Sequence, residues 1–116
     1  MNDEVMTSVV QLIDFLRLTV EWDGSDLHLK AGGPAYVRVA GQLHEVSGLG
    51  VLHPSDTATF VDQILPDAQR ELFATGHEAD FAYSVAGLGR FRVAAFRQRG
   101  SIGLVLRRVL PSSRTL

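Results

Sequence analysis

The spacing of apolar residues predicts where the chain forms helices. Between Val5 and Val20, apolar side chains recur three or four positions apart, as they do on one face of an amphipathic helix. Asp3 or Thr7 is expected to cap the start of this helix, because both side chains carry an oxygen that accepts a backbone hydrogen bond.

Two further helices are expected in the middle of the chain. One begins at Pro54, a residue favoured in the first turn of a helix, with Ser55 or Asp56 as its cap. Pro66 and Asp67 then interrupt the apolar spacing of this helix. A short third helix follows over residues 67–74 and ends before Gly76, which can adopt the left-handed conformation that terminates helices.

Six segments have the pattern of strands, with alternating or short apolar runs bounded by glycine and other turn residues. They are Asp26–Lys30, Tyr36–Val39, Leu43–Val46, Glu78–Val85, Arg90–Gln98 and Ile102–Leu110. The order is one helix, three strands, two helices and three strands. It indicates an α+β domain with a mostly antiparallel sheet of about six strands, packed with about three helices.

Composition restricts the class of protein further. The 116 residues suit one small domain, and a hydrophobic fraction of 46% is enough for a core. No cysteine is present, so disulfides and cysteine-based metal sites are excluded. No apolar run approaches the ~20 residues of a membrane-spanning helix, and the opening Asn-Asp-Glu lacks the pattern of a signal peptide. We therefore expect a soluble, intracellular protein.

Charge is strongly segregated along the chain. All thirteen acidic residues lie at or before Asp80, so residues 1–89 carry −9 and residues 90–116 carry +7, which sum to the net −2. The seven basic residues of the last segment are Arg90, Arg92, Arg97, Arg99, Arg107, Arg108 and Arg114. Arginine in place of lysine favours planar, bidentate recognition of phosphate or carboxylate groups.

Two of these arginines are expected to meet on one sheet face. Arg92 alternates with apolar neighbours in its strand, and Arg107 faces away from Arg108 in the last strand. Antiparallel pairing of these strands would bring Arg92 near Arg107 and create a cationic site. The alternative is a solvated sheet face, or arginines that pair with the carboxylates of the domain itself.

The first predicted strand carries Asp26, His28 and Lys30 on one face. A histidine that titrates near neutral pH allows a catalytic interpretation. No serine–base pair or second carboxylate accompanies it in the sequence, and structural hydrogen bonding at a sheet edge is the alternative. The other histidines are isolated and lack the spacing of a metal site, so no metal is expected. They are His44, His53 and His77.

The glycines do not form a nucleotide-binding loop. No Gly-x-x-x-x-Gly-Lys-Ser/Thr sequence occurs, so the chain is not a complete P-loop ATPase. Nucleic-acid binding is another use of an arginine-rich face, in which Phe91 and Phe96 would stack on bases. Their alternation fits core positions better, and nucleic acid is not an expected partner.

Several motifs together resemble one protein family. They are Gly24–Pro34, Val37–Leu43, Glu78–Tyr83, Gly89–Val93, Phe96–Gly100 and Leu104–Arg108. Their residues and their order are similar to the PAS-like N-terminal domain of PilT-type ATPases, the retraction motors of type IV pili. The resemblance extends over nearly the whole chain.

The resemblance implies that residues 1–111 form this PAS-like domain and that residues 112–116 begin a linker to a RecA-like ATPase domain. The chain would be an isolated or truncated domain, not an enzyme by itself and without a cofactor, whereas ATP and Mg²⁺ belong to the full-length ATPase. Its role would be subunit packing in a homohexamer and coupling of nucleotide state to domain movement in twitching motility.

The resemblance also implies partners and a location. The expected partners are the ATPase domains of the same and neighbouring subunits and, indirectly, the inner-membrane platform protein of the pilus. No small-molecule ligand is expected. The expected location is cytoplasmic, at the inner face of the cell membrane.

Residue roles follow from the same resemblance. Related secretion ATPases use arginines of this domain to reach nucleotide phosphates held by the ATPase domain, and the matching positions are Arg92 and Arg107. Four further arginines are expected at the domain and subunit interface. These are Arg90, Arg97, Arg99 and Arg108.

Two positions depart from the family pattern. The family often has an acid at the position of Ala40, where the change is expected to alter only a turn. It often has asparagine at the position of Ala94, beside the two phosphate-contacting candidates, so their geometry is the point to check. A different interpretation of a PAS-like fold is a stand-alone ligand-binding, sensory or interaction module.

Overall fold

Three helices pack on one face of a six-stranded antiparallel sheet in the computed structural model, which describes residues 11–110. The helices are α1 (Leu12–Glu21), α2 (Pro54–Ile64) and α3 (Asp67–Ala74). The strands are β1 (Asp26–Lys30), β2 (Tyr36–Val39), β3 (Gln42–Glu45), β4 (Ala79–Val85), β5 (Gly89–Gln98) and β6 (Ser101–Val109). The predicted α+β arrangement of three helices and six strands is confirmed.

The first and last strands of the described chain pair with each other at the centre of the sheet. Its strand order is β3-β2-β1-β6-β5-β4, and every neighbouring pair is antiparallel. The early strand β1 therefore lies between β2 and the last strand, β6. Asp26 of β1 is opposite Arg38 of β2 on one side and opposite Arg107 of β6 on the other.

Alternation along the strands separates a buried face from an open face. Leu27 and Leu29 of β1 are fully buried against the helices, whereas Lys30 is exposed on the other side of the sheet. The buried hydrophobic residues of the strands are Leu27, Leu29, Val37, Ala79, Phe81, Phe91, Val93, Ala95, Leu104 and Leu106. The opposite side, here called the open face, carries the polar residues of the same strands.

Aromatic packing fixes α1 and α2 against each other over the sheet. Phe15 of α1 is fully buried, and its ring meets the ring of Phe60 of α2 edge to face, with 6.1 Å between the centroids. Such pairs stabilise a core beyond the area that they bury. Phe73 brings α3 into the same core.

Gly24 forms a close junction between α1 and the sheet. Its N–H donates to the Thr19 carbonyl at 2.8 Å. A Cβ added at this position would lie 2.4 Å from Cγ1 of Val37, so only glycine fits here without rearrangement. The junction fixes where β1 begins and so places Asp26 in the sheet.

The structure corrects the predicted cap of α2. His53 is the N-cap residue, and Pro54 occupies the first helical position. Asp56 acts from the third position, where its carboxylate accepts the His53 backbone N–H at 2.7 Å. The helix begins at Pro54, as predicted, but the prediction of Ser55 or Asp56 as its N-cap was wrong, because the N-cap is the residue that precedes the first helical position.

The other boundaries agree with the sequence to within one or two residues. The β2–β3 turn is shorter than expected, because Gln42 belongs to β3 and only Ala40 and Gly41 make the turn. The first half of the predicted N-terminal helix with its caps Asp3 and Thr7, and the tail from residue 111, lie outside the described residues.

Ala40 is strained within this two-residue turn. Its φ is 51° and that of Gly41 is 83°, the pair of positive values that a tight hairpin requires. An alanine in the left-handed region costs about 1–2 kcal/mol, whereas Asn or Asp tolerates it better. The departure from the family pattern at Ala40 is thus located in a turn at the sheet edge.

The helices are short. None in residues 11–110 is long and apolar enough to cross a membrane.

Candidate anion-binding site

An arginine row crosses four strands on the open face. Register places Arg38 of β2, Asp26 of β1, Arg107 of β6 and Arg92 of β5 side by side in this order. Arg92 and Arg107 are direct cross-strand neighbours, so the predicted proximity of these two residues is confirmed. Two like charges opposite each other repel, and the row therefore needs compensating carboxylates.

Asp26 and Asp80 supply this compensation. The Asp26 carboxylate lies between two guanidinium groups, 3.6 Å from Nε of Arg38 and 3.8 Å from Nε of Arg107. Arg92 donates to Asp80 from Nε at 2.9 Å and from Nη2 at 3.5 Å. The alternative considered from the sequence, arginines paired with the domain's own acids, is thus part of the observed arrangement.

The row keeps a positive charge despite these pairs. Three arginines and two aspartates leave a net +1, and the ion pair with Asp80 raises the pKa of Arg92 through its hydrogen bond and its charge. The side chains of Arg92 and Arg107 are 66% and 71% exposed. Asp80 is exposed as well, and ion pairs between two exposed side chains are weak, so a phosphate group can compete with Asp80 for Arg92.

The four arginines expected at an interface lie in different places. Arg90 is exposed on the open face, opposite Val109 of β6. Arg99 is exposed in the β5–β6 turn, with a φ of 56°. Both are accessible for contact with another protein surface.

The other two are engaged within the domain. Arg97 lies on the helix side of the sheet, where its guanidinium carbon is 4.3 Å from the centroid of the Phe73 ring. Arg108 donates from Nη1 to the Gly24 carbonyl at 3.1 Å and to Asp23 at 3.3 Å. Its side chain is only 18% exposed, which fits attachment of β6 to the α1–β1 junction.

The aromatic residues of β5 do not form a base-stacking surface. Phe91 is fully buried in the core. Phe96 covers Gly103, because a Cβ added to that glycine would lie 2.7 Å from the Phe96 ring. Phe91 occupies the core position that its alternation predicts, whereas the core prediction was wrong for Phe96, which is half-buried on the open face.

His28 shares the open face with Asp26 and Lys30, as the alternation predicts. Its Nε2 atom is buried and has no hydrogen-bond partner within residues 11–110. It borders a small pocket of about 270 Å³ that Tyr36 and Leu43 also line. No hydroxyl or carboxylate of the described residues forms a hydrogen bond with the ring, so the described contacts give no catalytic pair.

Burial lowers the pKa of His28 below its ordinary value of 6.5. The nearby Asp26 carboxylate opposes this effect, whereas the positive charges of Arg38 and Lys30 add to it. The folded domain therefore binds a proton at His28 less readily than the unfolded chain does. The resulting stabilisation is complete above pH 6.5 and is lost as the pH falls through the folded pKa.

Replacing His28 by glutamine is expected to weaken the pH dependence of stability between pH 7.5 and pH 5. The wild-type free energy of unfolding should fall over this range, because the unfolded chain takes up the proton more readily. Urea denaturation at a series of pH values measures the change. His44→Gln, at an exposed position of β3, controls for the loss of an imidazole; an unchanged slope in His28→Gln would contradict the expectation.

The remaining histidines lie apart from the row. His44 is exposed on β3, His53 is the N-cap of α2, and His77 contacts Thr75 after α3. Within residues 11–110 there is no group of three or more histidine, aspartate or glutamate side chains that could hold a metal ion.

Sequence reasoning missed two members of the row. Arg38 was not a candidate, and Asp26 was considered only with His28. Alternation with Val37 and Val39 predicts which face Arg38 occupies, but its place beside Arg107 in the row depends on the β1–β6 pairing. No local signal reveals that pairing.

Comparison with known proteins identifies related chains. The type IV pilus ATPase PilU of Pseudomonas aeruginosa is 45% identical over 101 residues, which are 87% of this chain and 26% of that protein. The type IV pilus retraction ATPase PilT of the same organism is 34% identical over 100 residues, 86% of this chain and 29% of that protein. No family model matches the chain.

Solved structures show the same fold. A crystal structure of the pilus retraction motor PilT with bound ADP superposes with a TM-score of 0.80 at 32% identity, covering 90% of this chain and 30% of that one. The ATPase DotB of Legionella pneumophila gives a TM-score of 0.70 at 20% identity, covering 87% of this chain and 32% of that one, a likeness of fold alone.

Each match covers most of this chain but only a part of the relative. The chain spans 26% to 29% of the length of these two curated relatives, which is the size of one domain. The PAS-like α+β fold class expected from the resemblance is confirmed by the PilT structure. The chain is therefore a homologue of the PilT-type pilus ATPases and matches their N-terminal domain in sequence and in fold.

Proposed function

We propose that this chain acts as the N-terminal domain of a type IV pilus retraction motor, not catalytic by itself. In this function it packs between the subunits of a hexamer and couples the nucleotide state of the motor to domain movement. The observation that carries the proposal is the arginine row, in which exposed guanidinium groups stand side by side on a sheet face of a PilT-like domain.

The chemistry of the row suits contact with a nucleotide held by another domain. A guanidinium group directed at developing phosphate charge stabilises the transition state of phosphoryl transfer. Arg107 of β6 and Arg92 of β5 are exposed cross-strand neighbours on the open face, where both are accessible to a second surface. Phosphate contact would then report to this domain whether nucleotide is present.

The expected partners follow from this function. ATP and Mg²⁺ would be held by a RecA-like ATPase domain of the same or a neighbouring subunit, and the open face would pack towards it. Arg90 and Arg99 are exposed and would add to this interface. The assembled motor would act in the cytoplasm at the inner face of the membrane and reach the platform protein only indirectly.

A domain exchange tests the proposal. Residues 11–110 would replace the matching segment of PilT from P. aeruginosa, and the chimera would be compared with PilT from which the segment is deleted. We expect the chimera to form hexamers, to hydrolyse ATP within a few-fold of the PilT rate and to support twitching. The deletion is expected to lose assembly or coupling.

The controls separate function from folding. Circular dichroism and size-exclusion chromatography establish that the chimera is folded and show its oligomeric state. A chimera that is folded but no more active than the deletion would contradict the proposal, because a domain of the same function should substitute in the motor.

A further inference from the structure

Asp26 stands out among the charged residues of the open face because it is nearly buried. Its exposed fraction is 9%, whereas its partners Arg38 and Arg107 extend into solvent. Its two carboxylate oxygens go to different strands, Oδ2 towards Arg38 and Oδ1 towards Arg107. A carboxylate removed from water needs such partners, and it is fixed by β1 at the centre of the sheet.

The three arginines of the row differ in which of their guanidinium N–H groups already have an acceptor. Arg92 gives Nε and Nη2 to Asp80. Arg38 is near Asp26 through Nε and donates from Nη1 to the Gly41 carbonyl at 3.1 Å. Arg107 approaches Asp26 with Nε, and neither of its terminal nitrogens has a hydrogen-bond partner within residues 11–110.

We propose that Asp26 is the positioning residue that attracts Nε of Arg107 as an ion pair and leaves its two terminal nitrogens directed outwards to bind phosphate oxygens. Arg38 secures the second oxygen of Asp26 and keeps the carboxylate in place. The ligand class is a phosphoryl group presented by another domain, so this inference rests on the proposed function. Arg107 is the primary contact, and Arg92 joins only when a phosphate competes with Asp80.

The physical reason is the entropy of a long side chain. An exposed arginine samples many rotamers, and ordering it on binding costs free energy. A carboxylate that holds Nε removes part of this cost in advance, while the terminal nitrogens remain free for a bidentate contact. Misplacement of a positioned group by about 1 Å can cost about 10²-fold in rate.

The first experiment measures order in the 116-residue chain and needs no nucleotide. The ¹⁵N relaxation of the arginine Nε–H groups reports their motion, with the Arg107 signal assigned by Arg107→Lys. We expect Arg107 to be more ordered than Arg17, an exposed arginine of α1, and to lose this order in Asp26→Asn. Asp80→Asn removes the same charge from the row and is expected to leave Arg107 ordered.

The second experiment measures rate in a full-length motor that carries the domain. Asp26→Asn is expected to lower kcat for ATP hydrolysis by about tenfold or more with little change in KM. Asp62→Asn, which removes an equal charge at the α2–α3 junction beside Arg70, serves as the control. If Asp26 acted through its charge alone, Asp26→Asn would instead strengthen phosphate binding, because removal of a negative charge favours the binding of an anion.

The outcomes are distinct. The inference is overturned if wild-type Arg107 is as mobile as Arg17, a measurement that requires no variant to fold. It is also overturned if Asp26→Asn leaves kcat unchanged while Arg107→Ala lowers it. If Arg107→Ala itself has no effect on kcat, the proposed phosphate contact fails, and the ordering of Arg107 by Asp26 is judged by relaxation alone.

Discussion

Replacing Arg107 by alanine in a full-length motor that carries this domain is expected to lower kcat for ATP hydrolysis by about 10²-fold. The terminal nitrogens of Arg107 are the least engaged donors of the arginine row, and its side chain is 71% exposed. Loss of a donor that contacts charge developing in the transition state lowers kcat more than it raises KM. Steady-state ATPase kinetics and the retraction rate of pili measure the two consequences.

Charge and shape can be separated at this position. Arg107→Lys keeps the positive charge but cannot make the planar, two-pronged contact, so an intermediate rate is expected. Arg17→Ala removes an exposed arginine from α1, on the other side of the sheet, and is expected to keep the wild-type rate. Wild-type ATPase and retraction rates in Arg107→Ala would refute the phosphate contact.

Replacing Phe15 by alanine is expected to lower the free energy of unfolding by about 3–5 kcal/mol. The ring is fully buried and meets Phe60 edge to face, so its removal leaves a cavity between α1 and α2. Domains of this size are commonly stable by only about 5–15 kcal/mol, and the variant should lose much of its folded population at modest urea concentrations. Chemical denaturation followed by circular dichroism measures the loss.

The matched control for Phe15 is a large apolar residue outside the core. Leu72 of α3 is 57% exposed, and Leu72→Ala is expected to change stability by less than about 1 kcal/mol. A loss smaller than about 1 kcal/mol in Phe15→Ala would mean that α1 packs less tightly on the sheet than its contacts indicate.

Local signals in the sequence account for most of the fold. The bounds of β1 and α3 could be predicted to the residue, because turn residues flank both segments and their apolar periods differ. The N-cap of α2 could not, since Ser55 and Asp56 are both residues that favour N-cap positions and His53 is not. The helix begins at Pro54 as predicted, and the extended backbone of His53 makes that residue the N-cap.

The candidate site could also be predicted only in part. Arg92 and Arg107 belong to one hairpin with a short turn, so their proximity follows from counting residues back from Arg99 and Gly100. Asp26 enters the row only because β1 pairs with β6, far away in the sequence. The ion pairs that tune the arginines therefore required the three-dimensional structure.

The central position of β1 has a consequence for the order in which the domain can fold. One edge of β1 can pair with β2 as soon as β2 is synthesised, but its other edge can pair only after β6 is synthesised. The Arg108 side chain likewise donates to the carbonyl of Gly24, 84 positions earlier in the chain. Contacts of such long range slow folding, because the entropy cost of closing the long loop precedes the gain from the contact. During synthesis, the two halves of the sheet stay separate until β6 has left the ribosome. The arginine row draws on both halves, so incompletely synthesised chains cannot present it.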